Sequence, residues 1–521
     1  MKAERLARGR NQTRESLSMQ RPLRGAGAFS PTTVLQWRDD HAAGRDVYAE
    51  RMSTITIDYA NCLSDRIGVH GIDSGNLAQA GPQLAALTDR LNESRGTGWE
   101  RWRLLPFDPM RRKHISAVLA LTESLRPATD NLLVLGIGGS ALGNIALQSA
   151  LNPITYNLPA REQRGGPRLF VLDNVDPHLV HQTLQFIAGT DPGFQRTIVN
   201  VISKSGETAE TAAQFLIVRS ELARALGDRY AEHIVATTDP EKGTMRALCD
   251  AEGYATLPVP EGVGGRFSVL SPVGLFTAAM CGIDIERLLD GAAEMDTRCR
   301  NAEARSNPAA TLAWLLITLA RRGKPNHVLM PYCNALYSLA DWFRQLWAES
   351  LGKRRDLDGK EVFAGATPIK SLGATDQHSQ IQLYREGPND KVIGFLEVEL
   401  FDEDVTIPSD LDVENLRYLH GRSLAELLSA EKRATEYALV ESERPNFTIR
   451  FPSVDAFTVG QFIQLWEITT AYAALLLNIN AYDQPAVETG KKATFGLMGK
   501  AGFEQWKSKV DQTLRPTEYT I

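Results

Sequence analysis

Short apolar runs alternate with stretches of helical spacing along most of the chain. Leu84, Leu87 and Leu91, then Ile115, Val118, Leu119, Leu121 and Leu125, recur as the buried positions of helices do. Runs suited to strands buried on both faces follow at the start of 131–144 and at 168–173, 197–202 and 233–237, with a shorter one at 254–259. A second round begins near Asn307, with a helix through 313–320, a strand at 327–331 and a helix through 342–347. Strands at 392–400 and 446–451 and a long apolar helix at 457–477 complete it. Such alternation marks βαβ units, so the pattern predicts an α/β protein with parallel sheets flanked by helices. Two such domains and a helical C-terminal tail are expected.

Composition narrows the class. A chain of 521 residues can build two or three domains with large cores. Its 57 basic and 63 acidic residues leave a net charge of −6, which argues against general nucleic-acid affinity. The cysteines (Cys62, Cys249, Cys281, Cys299 and Cys333) are scattered, as suits a reduced cytoplasm rather than a disulfide framework or a zinc site. No apolar run approaches the roughly 20 residues of a membrane span. Residues 1–51 read differently: Arg5, Arg8, Arg10, Arg14, Arg21 and Arg24 sit among polar residues. A disordered extension is expected there, with an organelle transit peptide as the competing reading and Met52 as a candidate functional start.

Chemistry concentrates in six stretches. The first is 131–144, where the strand breaks at Gly136, Gly138 and Gly139 and passes through Ser140 into a helix. Helix-start amides and the helix dipole favour an anion there. The glycines also fit part of a dinucleotide fingerprint, but Glu162 lies in a loop and Asp173 too far on to hold a ribose. The second, Ser203-Lys204-Ser205-Gly206-Glu207-Thr208, again follows a strand and offers three hydroxyls, more than helix capping needs. The third places Arg266 after paired glycines. The fourth sets Gln345 and Glu349 four apart on one helical face, and a carboxylate held against apolar walls there would suit general base work. The fifth is a polar loop around His378, and the sixth runs from Tyr482 through Gln484 to Lys491. Each also has a bland reading: a tight turn, a solvated arginine, an exposed glutamate, a loop histidine or a surface lysine.

Taken together, and in this order, the six stretches resemble the glucose-6-phosphate isomerase family over about 132–491. Gly264-Gly265-Arg266-Phe267-Ser268 and the 482–491 segment carry the resemblance most specifically. It implies two sugar isomerase (SIS) domains, at 128–290 and 305–480. The N-terminal helical segment would then span 52–127, and a C-terminal helical tail at 481–521 would carry a catalytic lysine. It further implies reversible conversion of glucose 6-phosphate to fructose 6-phosphate through a cis-enediol, without cofactor or metal. On that resemblance Glu349 is the base, Arg266 stabilises the enediolate, and His378 and Lys491 open the sugar ring. Gly139, Ser140, Ser203, Lys204, Ser205 and Thr208 would hold the phosphate, with Gln345 and Gln484 near the substrate. The histidine would come from a neighbouring subunit, implying a cytoplasmic homodimer. Glu207 departs from the family's small hydroxyl residue, and its side chain is expected to point away while its amide still donates. Ala209 also departs from a position that is polar in some relatives. The alternatives are a non-catalytic SIS-domain sugar-phosphate sensor, an isomerase that also accepts mannose 6-phosphate, and a nucleotide-dependent dehydrogenase.

Overall fold

The computed structural model describes residues 54–514 together with Thr517 and Tyr519. The extension expected over 1–51 and the candidate start at Met52 lie outside the described residues. Strand β1 (Thr56–Asp58) comes first in the chain but joins the second sheet. The first sheet is built from β2 (Asn131–Leu135), β3 (Arg168–Leu172), β4 (Thr197–Ile202), β5 (Ile234–Thr238) and β6 (Ala255–Pro258). Helix α1 (Leu142–Leu151) follows β2, and α2 (Ala209–Leu226) follows β4. All pairings are parallel, in the order β3-β2-β4-β5-β6. Strands β2, β4 and β5 are buried along their whole length, which is why they read as nearly continuous apolar runs. The chain leaves β2 to one side for β3 and returns to the other for β4. That reversal opens a crevice beyond the carboxyl ends of β2 and β4.

The second sheet contains β7 (Asn326–Pro331), which leads into α3 (Tyr337–Leu351). A separate hairpin follows, β8 (Lys353–Arg355) against β9 (Glu361–Ala364), and then the sheet strands β10 (Thr367–Lys370), β11 (Lys391–Val398) and β12 (Asn446–Phe451). The order in the sheet is β1-β12-β11-β7-β10, parallel except for β1, which runs antiparallel to β12. Four of these strands are absent from the hydrophobic pattern. Strands β1 and β10 are short edges, and β10 tolerates Pro368 because an edge does not need every amide. The residues of β8 and β9 are mostly exposed or charged, so no apolar run marks them.

Helix α4 (Ala456–Leu477) is the axle between the sheets, buried on nearly every face. Val134 and Ile202 from one sheet, Leu396 and Ile449 from the other, and Phe462 and Trp466 of α4 share one core. Glycine makes the closest approach possible: a Cβ on Gly460 would lie 2.0 Å from the Leu288 carbonyl oxygen. The helix stops at Asn478, in the left-handed conformation with φ 56°. The chain then runs into α5 (Val487–Leu497) and α6 (Glu504–Thr513), the helical tail. No helix among the described residues is long and apolar enough to cross a membrane.

Candidate active site

A cleft of about 610 Å³ lies where the first sheet's carboxyl end meets α3 and the start of α5. One wall is the glycine turn after β2. Gly138 has φ +58°, and a side chain there would come within 2.9 Å of the Gln345 amide nitrogen. A Cβ on Gly139 would lie 2.2 Å from the Gly265 carbonyl, so the turn sits directly against the segment carrying Arg266. Ser140 completes this wall.

The loop after β4 forms the next wall, with Ser205, Glu207 and Thr208 facing the cleft. Thr208 occupies the N-cap of α2, yet its hydroxyl makes no capping bond and is not consumed by the helix. Ser203 turns into the loop, where its Oγ accepts from the Gly206 amide at 3.0 Å. Lys204 turns aside, with its Nζ 5.2 Å from the centre of the Trp99 ring. Neither residue lines the cleft. Glu207 is a lining residue, but its carboxylate is engaged by Thr244 and Lys500, neither of which lines the cleft. It accepts from Thr244 Oγ1 at 3.2 Å and lies 3.4 Å from Lys500 Nζ. The donors supplied by Thr244 and Lys500 account for that direction, and the Glu207 amide donates to Ser205 Oγ at 3.1 Å.

The far end of the cleft is a corner of fixed polar groups. Arg266 is 5% exposed and its guanidinium is held from several sides. Its Nε donates to Ser350 Oγ at 2.8 Å, its Nη1 to Gln484 Oε1 at 3.0 Å, and its Nη2 to the carbonyls of Ala481 and Asp483. Nη1 also lies 3.4 Å from Glu349 Oε1. Burial lowers the Arg266 pKa from its ordinary value, while Glu349 and Asp483 oppose the shift. An arginine keeps its charge under such a shift. Gln345 Nε2 donates to the other Glu349 oxygen at 3.0 Å, so the four-residue spacing on α3 becomes a direct contact. Glu349 thus has polar partners rather than only the apolar walls considered above. Behind the corner, Trp102 stacks on Phe267 at 5.1 Å and Phe267 packs on Tyr482 at 5.4 Å. This stack braces the residues next to Arg266 and Gln484 in one block.

Lys491 lines the cleft from α5 and pairs with Glu488 at 2.9 Å on its own helix. His378 is exposed in the turn Thr375–His378 and does not line the cleft of its own chain. The turn itself is firmly built. Gln377 Nε2 donates to Tyr332 OH at 2.8 Å and to the Glu431 carbonyl at 3.0 Å, while Asp376 accepts from the Leu372 amide at 2.7 Å. Among the described residues no group of three or more His, Cys, Asp or Glu side chains is placed to hold a metal ion.

The family model for phosphoglucose isomerase matches residues 125–500, more than half of the chain. The chain belongs to the phosphoglucose isomerase family. A glucose-6-phosphate isomerase of Carboxydothermus hydrogenoformans is 47% identical over 407 residues, covering 78% of this chain and 86% of that one. One from Rubrobacter xylanophilus is 45% identical over 456 residues, covering 87% of this chain and 100% of that one. Among solved structures, a hypothetical protein of Thermus thermophilus superposes with a TM-score of 0.76 at 35% identity, over 86% of this chain and 100% of that chain. A glucose-6-phosphate isomerase of Chlamydia trachomatis shares the fold, with a TM-score of 0.73 at 23% identity over 89% of this chain and 92% of that chain.

Several residues of the cleft and its corner escape sequence reading. Val487, Thr494 and Phe495 of α5 line the cleft, and Ser350 receives the Arg266 Nε bond. Thr494 and Phe495 stand one helical turn beyond Lys491, a signal that was available. Ser350 carried none, because its importance depends on an arginine far away in sequence.

Proposed function

We propose that the protein interconverts glucose 6-phosphate and fructose 6-phosphate through a cis-enediol. The observation that carries this reading is the polarity of the cleft. Gly139, Ser140, Ser205 and Thr208 line one part, and Glu349, Arg266, Gln345 and Gln484 converge at another. The first set suits a phosphate, using turn amides and unspent hydroxyls. The second suits a proton moving between adjacent carbons. The Glu349 carboxylate takes the proton from C2 of the open-chain aldose and returns it at C1. The same steps reversed convert the ketose. The negative charge that develops on the enediolate oxygens meets the fixed Arg266 guanidinium. Binding energy gained at the phosphate positions the reacting end without taking part in the chemistry.

Lys491 and His378 are proposed to open the sugar ring before isomerisation. Lys491 lies on its own chain's cleft, whereas His378 is presented outward on a braced turn. A homodimer in which each chain offers His378 to the cleft of the other accounts for that placement. The free cysteines, four of them buried, fit a reducing cytoplasm.

Turnover of fructose 6-phosphate by wild type and Glu349→Gln tests the reading. Loss of a general base is expected to cost about 10²- to 10⁴-fold in kcat. A Glu349→Gln enzyme turning over at a near-normal rate would overturn the role of Glu349. A wild type without turnover would favour a sugar-phosphate sensor.

A further inference from the structure

Lys353 stands just past the end of α3, with Gly352 between them, and its side chain folds back onto the helix it follows. Its Nζ donates to the Glu349 carbonyl at 2.9 Å and to the Ser350 carbonyl at 2.9 Å. These are among the last carbonyls of α3, which lack acceptor bonds within the helix and carry the negative end of its dipole. The ammonium also lies 3.7 Å from Asp483 Oδ1. Lys353 is only 7% exposed, an unusual setting for an ammonium, and burial lowers its pKa together with repulsion from Arg266. Asp483 and Glu349 oppose that shift. A helix end is ordinarily closed by glycine or by water, without burying a charge. Here Gly352 donates its amide to the Ala348 carbonyl at 2.9 Å, while the Glu349 and Ser350 carbonyls are met by Lys353 itself.

What Lys353 joins is more informative. On one side is the backbone of Glu349 itself. On the other is Asp483, adjacent to Gln484 and part of the segment that leads to Lys491. Arg266 links the same two pieces by a separate route, through Ser350 Oγ on α3 and the Asp483 carbonyl. The two cations form parallel struts between the helix bearing Glu349 and the segment bearing Gln484.

We propose that Lys353 is a positioning residue of the isomerase site, fixing the backbone of Glu349 relative to the 481–484 segment. The proposal rests on Glu349 being the base. The side-chain carboxylate reaches its proton only when reacting atoms stand about 3–3.5 Å apart, and a displacement of about 1 Å costs about 10²-fold in rate. The phosphate end of the cleft does not depend on Lys353, so a lost strut acts on kcat rather than on substrate binding.

The test compares Lys353→Met, Lys353→Arg, Asp483→Asn and Glu349→Gln, each alone, with the Lys353→Met/Glu349→Gln double variant. Fructose 6-phosphate turnover and thermal midpoint are measured in full-length protein. Lys353→Met is expected to lower kcat about 10- to 100-fold with KM changed less than about threefold. Lys353→Arg should recover most of that loss. Asp483→Asn keeps both carbonyl bonds and should lower kcat severalfold without changing the thermal midpoint, which keeps the proposal testable if Lys353→Met does not fold. Because Lys353 acts through Glu349, the double variant should be no slower than Glu349→Gln. A Lys353→Met enzyme that melts earlier but keeps its kcat would overturn the proposal and leave the function intact. So would a double variant slower than Glu349→Gln in proportion to the single losses. Normal turnover by Glu349→Gln would instead sink the functional reading, and the proposal with it.

Discussion

Arg266 and Lys491 are two cations of one cleft, held in opposite ways. Arg266 sits in a buried corner and donates to Ser350, Gln484, Ala481 and Asp483, with Glu349 beside it. Lys491 lies on an arm made of α5 and α6, its side chain about half exposed, paired with Glu488 three residues earlier on the same helix. The arm is consolidated internally, with Phe495 and Phe503 packed edge to face at 5.2 Å. It touches the loop after β4 through Lys500 and Glu207 at 3.4 Å. The difference follows the chemistry proposed for each. A charge that stabilises a developing enediolate must be in place before the charge appears, and reorganisation would waste the effect. A group that handles the sugar ring must also let substrate in and product out, which a displaceable arm permits.

Breaking the corner should have the largest consequence. Arg266→Lys keeps a positive charge but loses the planar fork that reaches several acceptors, and about a 10²- to 10³-fold fall in kcat is expected by steady-state turnover. Lys491→Met should lower turnover about 10²-fold while leaving the thermal midpoint close to wild type. A drop of many degrees in that variant would mean that the arm is as integral as the corner. Lys500→Ala addresses the contact between arm and loop. Exposed ion pairs contribute about 0.2–1 kcal/mol, so KM for fructose 6-phosphate should rise by no more than about fivefold. The effect should shrink as salt is raised from about 0.01 to 0.15 M, because the pair is open to solvent.

The two regions also differed in how far the sequence revealed them. The buried strands were legible because both faces must be apolar, and β4 and β12 occupy the stretches that the pattern marks. The edges of the second sheet were not: β1 is three residues long, and β10 contains a proline. At the corner, the spacing of Gln345 and Glu349 translated directly into a 3.0 Å bond, because helical periodicity fixes which residues share a face. The orientation of Glu207 had no local signal. It depends on Lys500, 293 residues further along, and on Thr244 in a neighbouring loop. Lys204 likewise turns toward Trp99, which belongs to a segment with no strand or motif to advertise it. Motifs named the candidate residues; long-range pairing decided which of them face the cleft.

Glu207 has one more consequence. Its carboxylate is tied to Lys500 of the C-terminal arm, so the loop proposed to hold the phosphate is joined to the helices that carry Lys491. On the proposed reading, a shift of the arm that parts Lys500 from Glu207 would leave that carboxylate uncompensated beside the phosphate, so the place of the arm and the charge at that end of the cleft are set together.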